Sequence, residues 1–161
     1  MQLISLALAT EHTQPLSLLL QQEWGAWAQW AEPTQTAARL TQRSRNATGE
    51  QVWLALDESE QALLGTASII AYELNDQPQR PWWIGEIFTH PEARGQGVAS
   101  ALIRGLVEHF QTQHPDQTLY LYTPDQQALY ARKGWLPIEE RFLNQEWVTI
   151  MGLPPRQVKT A

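Results

Sequence analysis

Apolar and polar positions change period several times along this chain, and the changes mark out its elements. A short alternating apolar run from Leu3 to Ala9 predicts a first strand. Pro15 and Ser17 then open a helical stretch in which Leu20, Trp24, Trp27 and Ala31 recur at spacings of four, three and four, with Trp27 expected in the core. Glu32-Pro33-Thr34 breaks it. A second helix is predicted from Thr34 to Arg45, stopped by Asn46-Ala47-Thr48-Gly49. The period next falls to two: Gln51 to Leu56 and Leu63 to Tyr72 flank the polar turn Asp57-Glu58-Ser59-Glu60, the pattern of an antiparallel hairpin. Pro81 to Thr89 is a third β-forming run, and it ends at His90-Pro91 because the residue before a proline is pushed out of helical space.

Past Gly95 and Gly97, the apolar positions Leu102, Ile103, Leu106, Val107 and Phe110 mark an amphipathic helix reaching Gln113. A strand from Thr118 to Tyr122 follows, then a short helix from Asp125 to Lys133 with Asp125 as its cap. Two last strands, Leu136 to Phe142 and Glu146 to Met151, meet in a hairpin at Asn144-Gln145. Strand, helix, strand in that order predicts a right-handed βαβ unit with its two strands parallel, which puts the glycine turn at a carboxyl strand end. The sum is an α+β fold, a mixed sheet with helices on its faces. No repeat, low-complexity block or linker interrupts it, so residues 1–161 read as one domain.

Composition narrows the function classes. A chain of 161 residues buries roughly two-thirds of its unfolded surface, enough for a core without staples. The net charge of -6 argues against nucleic acid as a partner, since such binding rests on clustered Lys and Arg. There is no Cys, which excludes thiol catalysis and Cys-ligated metal, and fits a reducing compartment. The first ten residues lack a basic n-region and no apolar run is long enough to span a bilayer, so neither a signal peptide nor a membrane partner is expected, and a cytoplasmic location is. The four His show no metal-ligand spacing, so no metal is expected. Eight Trp is an unusual number for this length.

The stretch from Ile87 to Ser100 carries the most specific chemistry. It leads from a strand through Arg94-Gly95-Gln96-Gly97-Val98-Ala99 into a helix. Free N–H groups of the helix's first turn, the positive end of its dipole and two residues without Cβ form an anion cradle, to which Arg94 adds a cation. On the glycines alone, a loop with a tight helix start reads equally well. A dinucleotide fingerprint fails twice: Ser100 stands where a third Gly or Ala belongs, and the next strand carries no acid at its end.

Arg94, Gly97 and Ala99 match the Arg/Gln-x-x-Gly-x-Gly/Ala signature, and the chain thereby resembles the GNAT N-acetyltransferase family. Leu129-Tyr130-Ala131-Arg132-Lys133-Gly134-Trp135 is similar to that family's Leu-Tyr-x-x-x-Gly-Phe segment, with Trp for Phe. Glu23-Trp24-Gly25, Pro81-Trp82-Trp83, Tyr120 to Asp125 and Trp147 to Met151 resemble a bacterial branch of small GNAT proteins, a likeness that names no substrate. The resemblance implies a GNAT-type, mostly antiparallel sheet that splays between the strand before the glycines and its parallel neighbour, flanked by helices. It implies acetyl-CoA as cosubstrate, held by the main chain of Ile87, Phe88 and Thr89, by Arg94, Gly95, Gln96, Gly97, Val98 and Ala99 at the diphosphate, and by Tyr130. Thr123, standing where many members carry Asn, is a further cofactor contact by position.

For catalysis the resemblance implies Tyr130 as the acid that protonates the leaving thiolate, its hydroxyl being a donor at neutral pH. Glu86 is the best-placed carboxylate to take the acceptor's proton, directly or through water. Glu23 and Trp24 lie on the first helix, which borders the acceptor pocket in the family, with Trp30 beside them. Trp82, Trp83 and Trp135 are expected to pack. Lacking Cys, the chain has no thioester route through the enzyme, so direct transfer to a small primary amine in a ternary complex is expected, with a homodimer compatible. A peptide or protein acceptor, or a silent acyl-CoA-binding regulatory domain, are the alternatives.

Overall fold

The computed structural model describes residues 1–45, 48–59 and 61–156; the parts of two predicted turns that fall on Asn46-Ala47 and on Glu60 lie outside them. Its elements run β1 (Gln2–Ser5), α1 (Thr13–Trp24), α2 (Pro33–Ser44), β2 (Gln51–Leu56), β3 (Leu63–Ala71), β4 (Trp82–Thr89), α3 (Val98–Gln113), β5 (Leu119–Thr123), α4 (Gln127–Ala131), β6 (Leu136–Leu143) and β7 (Glu146–Leu153). The strands form one sheet in the order β1-β2-β3-β4-β5-β7-β6, antiparallel except where β4 runs parallel to β5. This is the mixed, mostly antiparallel α+β architecture expected. Among the described residues no helix is long and apolar enough to cross a membrane.

Three local expectations are corrected. The first strand stops at Ser5, not Ala9: the Ser5 hydroxyl accepts from the Ala7 N–H at 3.3 Å and starts a 3-10 turn over Leu6–Leu8. The first helix ends at Trp24 because Gly25, a poor helix former, takes the cap, and Trp27 is extended at φ -90, ψ 135. The four-three-four pattern therefore breaks before Trp27, which is 40% exposed, whereas Trp30 is buried. Asp125 does not cap α4. Instead the Thr123 hydroxyl accepts from the Gln126 N–H at 3.0 Å, and Gln127 Nε2 donates to the carbonyls of Thr123 and Pro124.

The sheet divides two apolar layers, and strand parity decides which residue enters which. Val52, Leu54 and Leu56 of β2 pack with Leu16, Leu20 and Leu40 from α1 and α2, while Ala55 faces α3. On the α3 side Leu102, Leu106 and Phe110 meet Ala67, Ile69, Ile84 and Leu121. Leu102 and Leu106 have no exposed surface, so each contributes about 2 kcal/mol by leaving water. Trp83 is fully buried with Ile70 and Ile150, and its Nε1 donates to the Arg80 carbonyl at 2.6 Å. Trp135 is also buried, edge-on to Tyr130. Tryptophans 82, 83 and 135 thus pack, Trp82 against Phe110 and His114.

Two irregularities in the middle of the sheet shape what lies above it. Strands β4 and β5 share a single register pair, Trp83↔Tyr120, and part beyond it. Strand β4 also carries a bulge. Its register against β3 slips by one between Thr66 and Ser68, and Glu86 is left-handed at φ 52.

Candidate functional site

The bulge decides where Glu86 points. In an unbroken strand residues two and four apart share a face, so Ile84, Glu86 and Phe88 would all enter the α3 core. Ile84 does so, but Phe88 packs on the opposite side against α1 and α2. The extra residue reverses parity between them and turns the Glu86 side chain onto the α1 and α2 face, where it lines a cavity. A left-handed, non-glycine residue in a strand costs on the order of 1 kcal/mol, and the benefit is an acid outside the core rather than in it.

That cavity has a volume of about 510 Å³. One wall is aromatic: Trp24, Trp27 and Trp30 line it, Trp24 and Trp30 tilted at a centroid separation of 4.9 Å, and Trp24 edge-on to Phe88 at 6.1 Å. The Arg39 guanidinium lies 4.5 Å over the Trp30 ring. The same cavity is lined by Glu50, Glu73, Glu86 and Glu146, against the two guanidinium groups of Arg39 and Arg43. Four acids to two bases leave the cavity lining with an acidic excess.

Within the cluster the acids differ. Arg43, nearly buried, donates from its NH1 nitrogen to Glu86 and from Nε to Glu50 at 3.2 Å, and Glu50 also accepts the Ala71 N–H at 3.1 Å. Burial pushes the Glu86 carboxyl above its ordinary range while Arg43 and Arg39 pull it back. Glu73, at the start of the β3–β4 connection, accepts from the Tyr122 hydroxyl at 3.2 Å. Burial, with the charge of Glu86, lifts its carboxyl to about 6 against the opposing influence of Arg43, the Tyr122 hydrogen bond and Arg39. The Tyr122 hydroxyl is raised in turn, by burial and then by Glu73, so it stays a donor across the working pH range.

A second region lies at the other end of β4. Gly95 and Gly97 are left-handed, at φ 78 and 81, and a Cβ on either would meet nothing within 4 Å. Gly97 occupies the N-cap of α3 with no side-chain cap. The loop from Arg94 to Gly97 is therefore an open concavity at the start of a 16-residue helix, which fits a diphosphate: Val98 and Ala99 present first-turn N–H groups to it. Arg94 and Glu23, expected on cofactor and acceptor, pair with each other at 3.0 Å, and Arg94 Nε also donates to the Thr89 carbonyl at 3.3 Å. Gln96 reaches back to the Glu92 carbonyl, and His90 Nδ1 accepts from the Glu92 N–H at 3.1 Å, a structural turn.

Of the residues expected at the site, Trp24, Glu86 and Ile87 come together in the cavity, and Glu23 joins the loop. The Phe88 side chain is core, so of the expected cofactor contact only its main chain is left to make it. Tyr130 is buried in the α3 layer and does not line the cavity; burial raises its hydroxyl, which has no hydrogen-bond partner among the described residues. Thr123 is buried, its hydroxyl engaged with α4. Sequence reasoning missed Arg39, Arg43, Glu50, Glu73 and Tyr122. The two arginines carried one signal, an i, i+4 spacing on a helix with few apolar residues; the acids carried none.

Residues 48–136, more than half of the chain, match the family model described as an acetyltransferase (GNAT) domain. No curated protein sequence matches. Among solved structures, a Bordetella pertussis protein assigned to the GnaT acetyltransferase family superposes with a TM-score of 0.75 at 14% identity, over 89% of this chain and 90% of its own. An aminoglycoside 6'-acetyltransferase type Ii gives 0.72 at 16% identity, over 98% and 100%. The spermidine/spermine N-acetyltransferase SpeG of Vibrio cholerae gives 0.67 at 20%, over 95% and 91%. At such identities the likeness is one of fold.

Proposed function

The chain belongs to the acetyltransferase (GNAT) family and is an acyltransferase, and on that premise we propose that it moves an acetyl group from acetyl-CoA directly to the amine of a small cationic molecule. One observation carries the acceptor class: a cavity of about 510 Å³ walled by three tryptophans and holding four carboxylates against two guanidinium groups. Tryptophan faces attract alkylammonium groups, and an excess of partly buried acids favours a cation over an anion. That aminoglycoside and spermidine acetyltransferases share the fold agrees with an amine acceptor and does not choose one.

Acetyl-CoA supplies the thioester whose acyl carbon the amine attacks. The open loop from Arg94 to Ala99 holds the diphosphate by main-chain N–H groups, and the edge of β4 released from β5 offers the main chain of Ile87, Phe88 and Thr89 to the pantetheine amides. Thr123 lies at the end of β5 on the other side of that gap. Tyr130, whose hydroxyl has no hydrogen-bond partner among the described residues, protonates the departing thiolate. The Arg43 pairing holds the Glu86 carboxylate at the cavity wall, where it counters the charge of the ammonium. Without Cys no enzyme thioester forms.

Acetyl-CoA consumption over a panel of polyamines, aminoglycosides, amino acids and peptides tests this reading, with Tyr130→Phe beside the wild type. Turnover with at least one small amine, cut about 10- to 100-fold by Tyr130→Phe with CoA binding intact, is expected. Tight CoA binding without turnover of any acceptor would replace the reading by a silent acyl-CoA-binding domain, and turnover of peptides alone by a protein acetyltransferase.

A further inference from the structure

We propose that Glu73 is the group that takes the proton from the acceptor's ammonium, its carboxylate held by Tyr122 at the fork where β4 and β5 part. The proposal rests on the acetyl-transfer reading above and names the residue that makes the amine nucleophilic.

Place is the first argument. Trp83↔Tyr120 is the only ladder pair between β4 and β5 among the described residues, and the next residues on the same face are Gly85 and Tyr122. Glu73 lies beside both. Its Oε1 accepts from the Tyr122 hydroxyl at 3.2 Å, and its Oε2 lies 3.8 Å from where a Cβ on Gly85 would stand. The chain reaches this point by a left-handed turn at Tyr72, φ 54, whose N–H donates to the Pro81 carbonyl at 2.7 Å. Glu73 thus lines the cavity at the mouth of the gap in which the reading above puts the pantetheine, and the three tryptophans line the same cavity.

Partnership is the second. A base must hold a free lone pair and survive protonation. Glu86 is bonded to Arg43, which also holds Glu50, so a proton on Glu86 would leave a nearly buried guanidinium short of one counter-charge. Glu73 has no such obligation: among the described residues its hydrogen-bond partner is the neutral Tyr122 hydroxyl. The charges that face it are Glu86 from β4 and Arg43 and Arg39 from α2, with Glu146 of β7 acting on Tyr122. Their balance and burial bring Glu73 to about 6, so it is ionised at neutral pH yet binds a proton far better than an exposed Glu.

One ammonium proton passes to the Glu73 carboxylate and frees the amine lone pair, which forms the new C–N bond to the acyl carbon as the C–S bond breaks. The thiolate gains a proton from Tyr130, and the second amine proton, lost from the nitrogen as the amide forms, makes good the one Tyr130 gave. The products are the amide, the CoA thiol and one proton released from Glu73 to water.

Acetyl-CoA turnover of spermidine, kanamycin, lysine and tyramine, measured from pH 5 to 10 for wild type, Glu73→Gln and Tyr122→Phe, tests the assignment, with calorimetric CoA binding as the check that each variant is folded. The wild type should show an acid limb near pH 6. Glu73→Gln should lose about 10²- to 10⁴-fold in kcat with KM little changed, lose that limb, and recover toward wild type as pH approaches 10 and the ammonium loses its proton to water unaided. Tyr122→Phe, which removes a bond that favours the ionised acid, should move the limb to higher pH. A Glu73→Gln enzyme that keeps kcat within about threefold, or whose whole loss is in KM, overturns the proposal and leaves acetyl transfer standing. Wild-type protein that binds CoA and acetylates none of the four amines overturns both.

Discussion

A carboxyl held near 6 inside a fold is a stability defect at neutral pH, and replacing Glu73 by Gln should remove it. The folded Glu73 carboxyl stands at about 6 against an ordinary 4.5, so the fold prefers the protonated form. Its favourable contribution is complete below pH 4.5 and is lost as pH rises through about 6. At about 1.4 kcal/mol for each tenfold change in acidity, the ionised fold is less stable by roughly 2 kcal/mol than one with a neutral group there. Gln is isosteric and neutral, and its carbonyl accepts the Tyr122 hydrogen bond. Glu73→Gln should therefore be more stable than wild type by about 2 kcal/mol at pH 8, raising Tm by about 4–8 °C for a chain of this size, and equal to it at pH 4. Urea unfolding followed by tryptophan fluorescence at both pH values measures the difference. A gain of the same size at pH 4 and pH 8 would trace to packing and refute the electrostatic reasoning, as would no gain at pH 8. The expected pair of outcomes, a more stable and nearly inactive variant, is the trade a strained active site makes.

Arg43→Met should act in the opposite direction. Without the guanidinium, Glu50 and Glu86 lie nearly buried with Arg39 alone of the two cavity arginines to offset them, a loss of about 3–5 kcal/mol at pH 8 that lessens toward pH 5 as Glu86, already raised by burial, takes up a proton; a pH-independent loss in urea unfolding would contradict this. Glu23→Gln frees Arg94 from an exposed ion pair, so stability should stay within about 1 kcal/mol of wild type. CoA should then bind about threefold tighter by calorimetry at low salt and equally tightly near 1 M salt, where the screening length falls to about 3 Å. Weaker binding by Glu23→Gln would show that Arg94 does not serve the diphosphate.

The elements were legible where the signal is local. The glycine loop reads directly from Arg94 to Ala99 because φ preference and first-turn N–H groups belong to residues next to one another. The hairpin at Asn144-Gln145 reads for the same reason, since both residues are left-handed as Asn-containing turns allow. Trp27 misled because apolar spacing continued past the point where Gly25 and the backbone ended the helix. Gly85, a glycine inside an otherwise β-forming run, is the one local mark of the bulge at Glu86, and it does not say which way the acid turns: the slip is a property of the pairing with β3.

By itself, the sequence determined the order of the elements, the two faces of each regular strand, the anion cradle at α3 and the absence of a thiol from the chemistry, all carried by period, turn residues and composition. Tertiary structure alone decided the cavity that gathers Trp24, Trp30, Arg43, Glu73 and Glu86. The Arg43–Glu86 pair spans 43 residues of chain and the Tyr122–Glu73 hydrogen bond 49. Which acid pairs with a guanidinium and which with a neutral hydroxyl depends on groups a few ångströms away through space, and those distances are not written in the spacing of residues along the chain.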